Sequence, residues 1–180
     1  ETKLIGEWMM ADAEKAWGLR WAGLRYFNVA GAGWDDLGDM ATLNLIPMVL
    51  DRLSKGETPK IFGTDYPTPD GTCVRDYIHV KDLAGAHIAA LDYLAGGQDM
   101  AEHIFNVGTG QGASVREVVS KVIASTGLDL EPEELARRAG DPPQLIGNAT
   151  RIGEVLGWKA EHDLDDIVTS SYTSWQADPN

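Results

Sequence analysis

Cysteine is almost absent from this chain: Cys73 is the only one among 180 residues, so no intrachain disulfide can form. Histidine is scarce too, with four scattered residues, and this argues against a structural zinc site. Basic residues are outnumbered, 15 Lys and Arg against 28 Asp and Glu, for a formal net charge of −13. A field of that sign repels phosphate backbones, so nucleic acid is not an expected partner and positive charge is confined to a few places. No apolar run approaches the roughly 20 residues of a membrane helix, so no membrane partner is expected. The opening Glu1-Thr2-Lys3-Leu4 has neither a basic leader nor a small-residue cleavage site, so no signal peptide is expected. A reducing cytoplasm fits the lone cysteine. The sequence also opens without Met and inside a helical pattern, which makes a piece of a longer chain the expectation.

What is present suits a compact globular fold, with 43% apolar and 24% charged residues. Thr2 to Trp17 reads as an amphipathic helix with Ile5, Trp8, Met9, Ala13 and Ala16 at helical spacing, ended by Gly18. Trp21 to Asn28 reads as a strand leaving through the glycine-rich VAGAG, and 34–42 as a loop. A helix follows over 44–53, where Pro47 is tolerable only in the first turn. Lys60 to Phe62 reads as a short strand and 63–72 as a turn-rich loop with two prolines, two glycines and two aspartates. Tyr77 to Val80 is extended, Lys81 to Leu94 helical, and Ile104 to Val107 a buried strand leaving through GTGQG. Ser114 and Glu117 fit a capping box that opens a helix to about Ser125. Further helices are expected near 151–156, stopped by Gly157, and from an N-cap at Asp163 toward Trp175.

Strands alternate with helices, so the class is α/β. The opening segment (1–33) reads as the end of a doubly wound sheet, and 34–180 mainly as a smaller mixed domain.

The cations in this acidic chain draw attention. Arg75 follows the turn-rich loop, and Arg137 and Arg138 lie together in ARRAGDPP. A guanidinium fork matches phosphate oxygens, so an anion site is one reading; local ion pairs with Asp76 and Asp141 are the other. Asn28 sits at a strand end, where α/β sheets bind ligands, although an Asx turn accounts for it as well. Phe62 reads either as a surface on which a base stacks or as core. His79, in a strand with no nucleophile motif beside it, reads as structural, and so does Cys73. Lys3 alone on a helix reads as a surface lysine.

These segments resemble the UDP-glucose 4-epimerase family of the extended short-chain dehydrogenase/reductases. The likeness runs from TKLIGE through LRYFNVAGA, IFGTDYPTPDGTCVRDYIHVKDLA and FNVGTG to RRAGDPP and VLGWKAEHDLDDI. It implies a Rossmann-like doubly wound domain holding NAD, a smaller mixed α/β domain holding a UDP-sugar, and homodimers. The implied reaction moves hydride from C4 of the hexose to NAD and back to the other face, interconverting UDP-glucose and UDP-galactose.

By resemblance Lys3 is the lysine of a YxxxK pair, catalytic and in contact with the cofactor, its tyrosine falling before Glu1. Tyr26 lies by the nicotinamide. Asn28 reaches the sugar nucleotide, and Asn44 and Leu45 approach the diphosphate and nucleoside. Lys60 and Phe62 hold uracil, Arg75 and Arg138 clamp the diphosphate, Tyr77 lines the pocket, and Asp141 accepts from the uridine ribose. At Leu145 the family carries a residue whose size helps to decide whether an N-acetyl group fits. The glycine-rich phosphate fingerprint is absent from the sequence, so the chain by itself is expected to be inactive. WDDLGDMATLNLIP is shorter than the corresponding loop of many relatives.

Overall fold

The computed structural model describes residues 2–97 and 102–177. Helix α1 (Thr2–Trp17) forms as its periodicity predicts, but its apolar stripe is not buried. Ile5, Trp8 and Met9 remain 47%, 60% and 62% exposed, and only Ala13 is buried. The described residues leave that face uncovered, and polar contacts hold the helix instead. Arg25 Nε donates to Glu7 at 2.7 Å, and Trp21 Nε1 donates to Glu14 at 3.1 Å.

The strand expected over Trp21 to Asn28 is two shorter ones, β1 (Gly23–Tyr26) and β2 (Asn28–Ala30), broken at Phe27. The reason is a change of partner. β1 runs parallel to β6 (Ile104–Val107), whereas β2 runs parallel to β5 (Tyr77–His79), with Asn28 opposite Tyr77. Part of the expected glycine-rich exit is therefore strand.

Helix α2 (Leu45–Ser54) carries Pro47 in its first turn, where the missing N–H costs nothing. Strand β3 (Lys60–Phe62) pairs in parallel with β8 (Glu133–Leu135), which the sequence did not suggest. Its three residues include two glutamates, held by ion pairs from Lys60 to Glu133 and from Arg116 to Glu134. Between them in the chain lies β4 (Val74–Arg75), flanked by β7 (Ala113–Ser114) antiparallel and β9 (Gln144–Leu145) parallel.

Helix starts follow their caps. α3 (Val80–Ala95) begins one residue earlier than expected because His79 caps it, its Nδ1 accepting from Lys81 N at 3.1 Å. Ser114 Oγ accepts from Glu117 N at 3.0 Å to open α4 (Val115–Ser125). α5 (Thr150–Leu156) stops at Gly157. The reciprocal box stands at α6 (Leu164–Ala177), where Asp163 accepts from Asp166 N and Asp166 from Asp163 N.

Two apolar cores lie on opposite sides of β5, because successive side chains of a strand alternate faces. Tyr77 joins α2, α4 and α6 through Leu50, Val119, Val122 and Ile167. Ile78 joins Phe105, Val107 and Ile152 on the other side. Each fully buried aliphatic contributes about 1.5–3 kcal/mol over leaving it exposed. This two-sided packing fixes β5 and leaves the α2 side of Tyr77 facing a cavity. Among the described residues no helix is long and apolar enough to cross a membrane.

Candidate functional site

The cavity beside Tyr77 has a volume of about 280 Å³, near the lower bound of roughly 300 Å³ typical of ligand pockets. Four elements frame it: β2 supplies Asn28, the start of α2 supplies Asn44 and Leu45, β3 supplies Lys60 and Phe62, and the β4–β5 segment supplies Arg75 and Tyr77. Arg138 and Asp141 close it from the loop before β9.

Arg75 is held hard. Its Nη1 donates to Pro142 O at 2.8 Å and to Val74 O at 2.9 Å, while Nη2 lies 3.7 Å from Asp141. Arg138 Nε donates to the same Asp141 at 3.0 Å, and its guanidinium stands over the Phe62 ring, 5.3 Å from the centroid. Two guanidinium groups thus share one carboxylate, which leaves positive charge uncompensated at the cavity wall. Arg52 and Lys60 also line it, but each is paired with a carboxylate, Glu57 and Glu133, so the excess positive charge is that of Arg75 and Arg138 over Asp141. In a chain of net charge −13 that arginine pair is a place suited to an anion.

The start of α2 adds to it. Asn44 is the N-cap residue, yet its side chain makes no capping bond and donates instead to Asp39 at 2.7 Å. The first N–H groups of a helix lack intrahelical partners, so Leu45 and Ile46, both cavity-lining, begin a helix whose end carries partial positive charge. Tyr77 is deep in the wall: burial pushes its phenol up to about 12, against the opposing effects of Arg75 and of a hydrogen bond with the Asn28 side chain.

The loop from Gly63 to Thr72 is shaped by Gly71, with φ +79° and a position where a Cβ would come 2.0 Å from Thr64 O. Asp70 closes the loop by accepting from Thr72 N at 2.9 Å and Thr72 Oγ1 at 2.8 Å, and it also accepts from Ser114 Oγ. Neighbouring donors outweigh partial burial and hold its carboxyl below the usual range. Arg137 serves this loop too, pairing with Asp65 and lying 4.1 Å over the Tyr66 ring. Adjacent in sequence, Arg137 and Arg138 have parted: the first braces the loop, the second faces the cavity.

Nine of the twelve expected site residues line this one cavity. Lys3, Tyr26 and Leu145 do not. Lys3 is exposed on α1, Tyr26 is 54% exposed at the end of β1, and Leu145 is 49% exposed beside Arg75 in the sheet register. Lys3 and Tyr26, the positions expected at NAD, are thus exposed and outside the cavity. These residues do not by themselves enclose a dinucleotide. Of the local ion pairs weighed as the alternative to an anion site, the one with Asp141 forms and the one between Arg75 and Asp76 does not: Asp76 is fully buried and bonds to backbone N–H groups and the Thr109 hydroxyl. Asp39, Arg52 and Cys73 also line the cavity and were missed. Only Asp39, five residues before Asn44, offered a local hint. His79 is fully buried, caps α3, contacts Ser170 Oγ at 3.0 Å and stacks on His162, so its role is structural. Among the described residues no cluster of His, Cys, Asp and Glu could hold a metal ion.

Comparison with known proteins gives the family. A UDP-glucose 4-epimerase of Azospirillum brasilense is 48% identical over 179 residues, covering 97% of this chain and 51% of its own length. A solved UDP-glucose 4-epimerase from Brucella ovis, in complex with NAD, is 42% identical with a TM-score of 0.86, matching 95% of this chain and 54% of that one. One from Stenotrophomonas maltophila, with bound NAD and formylated UDP-arabinopyranose, is 39% identical with a TM-score of 0.88 and covers 98% of this chain and 54% of its own. The chain therefore spans about half the length of the curated relatives it matches. The family described as NAD dependent epimerase/dehydratase matches residues 1–108, and this mixed α/β chain belongs to it.

Proposed function

We propose that this chain is the UDP-sugar-binding part of an enzyme that interconverts UDP-glucose and UDP-galactose by epimerisation at C4. One observation carries the reading: Arg75 and Arg138 converge with Phe62 and the uncapped start of α2 on a single cavity. A nucleoside diphosphate needs that combination, with a flat apolar surface for the base and two fixed cations for the phosphates. Lys60 and Phe62 take the uracil, Arg75 and Arg138 the diphosphate, and Asp141 the ribose hydroxyls. Asn44 and Leu45 add the helix terminus, while Asn28 and Tyr77 border the sugar end. On this reading residues 1–33 close an NAD-binding domain and 34–180 mainly hold the UDP-sugar. The pairing of β6 with β1 supports a return of the later chain to the first sheet.

NAD is the cofactor of the proposed enzyme, which accords with the name of its family. Lys3 and Tyr26 would touch it, but exposed as they are they need a further part of the fold to enclose it. The residues of this chain bind and orient the nucleotide sugar.

Leu145, whose size bears on N-acetyl acceptance in the family, stands half exposed and does not line the cavity, so it does not narrow the sugar range. A UDP-N-acetylhexosamine or UDP-pentose 4-epimerase is therefore the second reading. Turnover of UDP-galactose, UDP-N-acetylgalactosamine and a UDP-pentose by the full natural chain with NAD decides between them. UDP-galactose as the best substrate is the expected result. Binding of UDP without turnover of any of the three would make the protein a non-catalytic sugar-nucleotide module.

A further inference from the structure

Asp76 is the one carboxylate in the β4–β5 segment, and it is completely buried. It does not line the cavity, yet its sequence neighbours Arg75 and Tyr77 both do. Its side chain accepts four hydrogen bonds. Thr109 N and Thr109 Oγ1 reach Oδ1 at 2.9 and 2.8 Å; Gly110 N and Gly147 N reach Oδ2, each at 3.1 Å. A carboxylate offers about four lone-pair positions, so four donors fill it. Its backbone is engaged as well: Asp76 N donates to Leu145 O at 3.1 Å, and Asn28 N donates to Asp76 O at 3.0 Å.

We infer that Asp76 is a positioning residue that sets the Arg75 guanidinium for the diphosphate, an inference that rests on the UDP-sugar reading of the cavity. The route is short. Arg75 is held at Pro142 O and beside Asp141. Both belong to the run that passes through β9 to Gly147, and Asp76 grips this run at Leu145 O and again at Gly147 N. The same carboxylate anchors the turn at Thr109 and Gly110, which follows β6. Space there is tight: a Cβ on Gly108 would come 2.5 Å from Asp76 Oδ2, and one on Gly147 would come 2.4 Å from the Phe27 ring. The carboxylate therefore fixes the Gly147 end of the run that carries Pro142 and Asp141, while backbone bonds from Val74 N to Pro143 O (2.8 Å) and from Asp76 N to Leu145 O hold the rest, and no lysine or arginine competes for it among its hydrogen-bond partners.

Asp76→Asn replaces one acceptor oxygen with an NH2 group that faces backbone N–H donors, so at least one of the four bonds is lost and the charge that strengthens the others is removed. The loop carrying Asp141 and Pro142 then relaxes and Arg75 loses its aim. Uridine carries no diphosphate, so its affinity separates a misplaced clamp from a general loss of structure.

The test is calorimetry of UDP and of uridine on the full chain, wild type against Asp76→Asn and Thr109→Val. Thr109→Val deletes one of the four donors to the carboxylate, along with the hydroxyl's contacts to Gln111, and keeps the backbone bond, so it supplies the answer should Asp76→Asn fail to fold. The expected result is a fall of about tenfold in UDP affinity for Asp76→Asn and a smaller one for Thr109→Val, with uridine, which keeps the ribose contact at Asp141 but lacks the diphosphate, weakened several-fold less than UDP in both. Equal weakening of UDP and uridine, or no weakening in a folded variant, overturns the inference. A wild-type chain that fails to bind UDP overturns the UDP-sugar reading, and the inference with it.

Discussion

Replacing Gly71 by Ala is a sharp test of how the turn-rich loop is built. Gly71 has φ +79°, a conformation that costs an L-residue about 1–2 kcal/mol. A Cβ there would also lie 2.0 Å from Thr64 O and 2.7 Å from Thr64 C, backbone atoms that cannot swing away as a side chain would. Relief requires the loop to open, at the expense of Tyr66 N to Gly71 O (2.8 Å) and Gly71 N to Thr68 O (3.2 Å). Each such bond contributes about 0.5–1.5 kcal/mol, so the total loss is about 2–5 kcal/mol. Gly127→Ala is the control: its φ is +72°, but nothing lies within 4 Å of the new Cβ, so only the backbone cost of about 1–2 kcal/mol remains. Equilibrium urea unfolding of both variants measures the difference. A Gly71→Ala loss no greater than that of Gly127→Ala would refute the steric account of this loop.

Other outcomes follow from the same contacts. Burial, with the nearby His162, lowers the affinity of His79 for its proton, so the unfolded chain binds more protons below a pH of about 6.5. Stability from this group is complete above that pH and is lost on acidification, with a slope of at most about 1.4 kcal/mol per pH unit. In His79→Asn, unfolding free energies between pH 7 and pH 5 should show a flatter dependence. Asp163→Ala removes half of the reciprocal cap on α6 and should cost about 1 kcal/mol in the same urea assay. Arg137→Ala should lower stability through its lost contacts with Asp65 and Tyr66 while leaving UDP affinity within about twofold; Arg138→Ala should lower UDP affinity, measured by calorimetry.

Local signals carried much of the fold. The Ser114 cap, the Gly157 stop, and the spans 60–62 and 104–107 could be read directly, because caps, glycines and short apolar runs act within a few residues. Partner changes could not. Nothing local in LRYFNVA announces that the strand leaves β6 for β5 at Phe27, since that switch depends on chain about 50 and 80 residues away. β8 was invisible for a similar reason: EEL has no strand pattern of its own and is held by β3 and two distant cations. At the site, residue type and position singled out Arg75, Phe62 and Asn28. The division of labour between Arg137 and Arg138 appears only once Asp65, Tyr66 and Asp141 are in place. For Asp76 a local signal pointed the wrong way. Its neighbour Arg75 made an ion pair the natural inference, whereas burial and four neutral donors gave it other work. The exposed stripe of α1 shows that periodicity reports a face suited to packing, and not whether the described residues pack on it.

UDP affinity of the full chain, wild type against Arg75→Ala, bears most directly on the claim that this cavity is a nucleoside-diphosphate site. Calorimetry should show UDP bound by the wild type and weakened by about 1.5–3 kcal/mol in the variant, the cost of one charge-assisted contact to phosphate. Equal affinity of the two proteins, or a folded wild type that does not bind UDP, would contradict it.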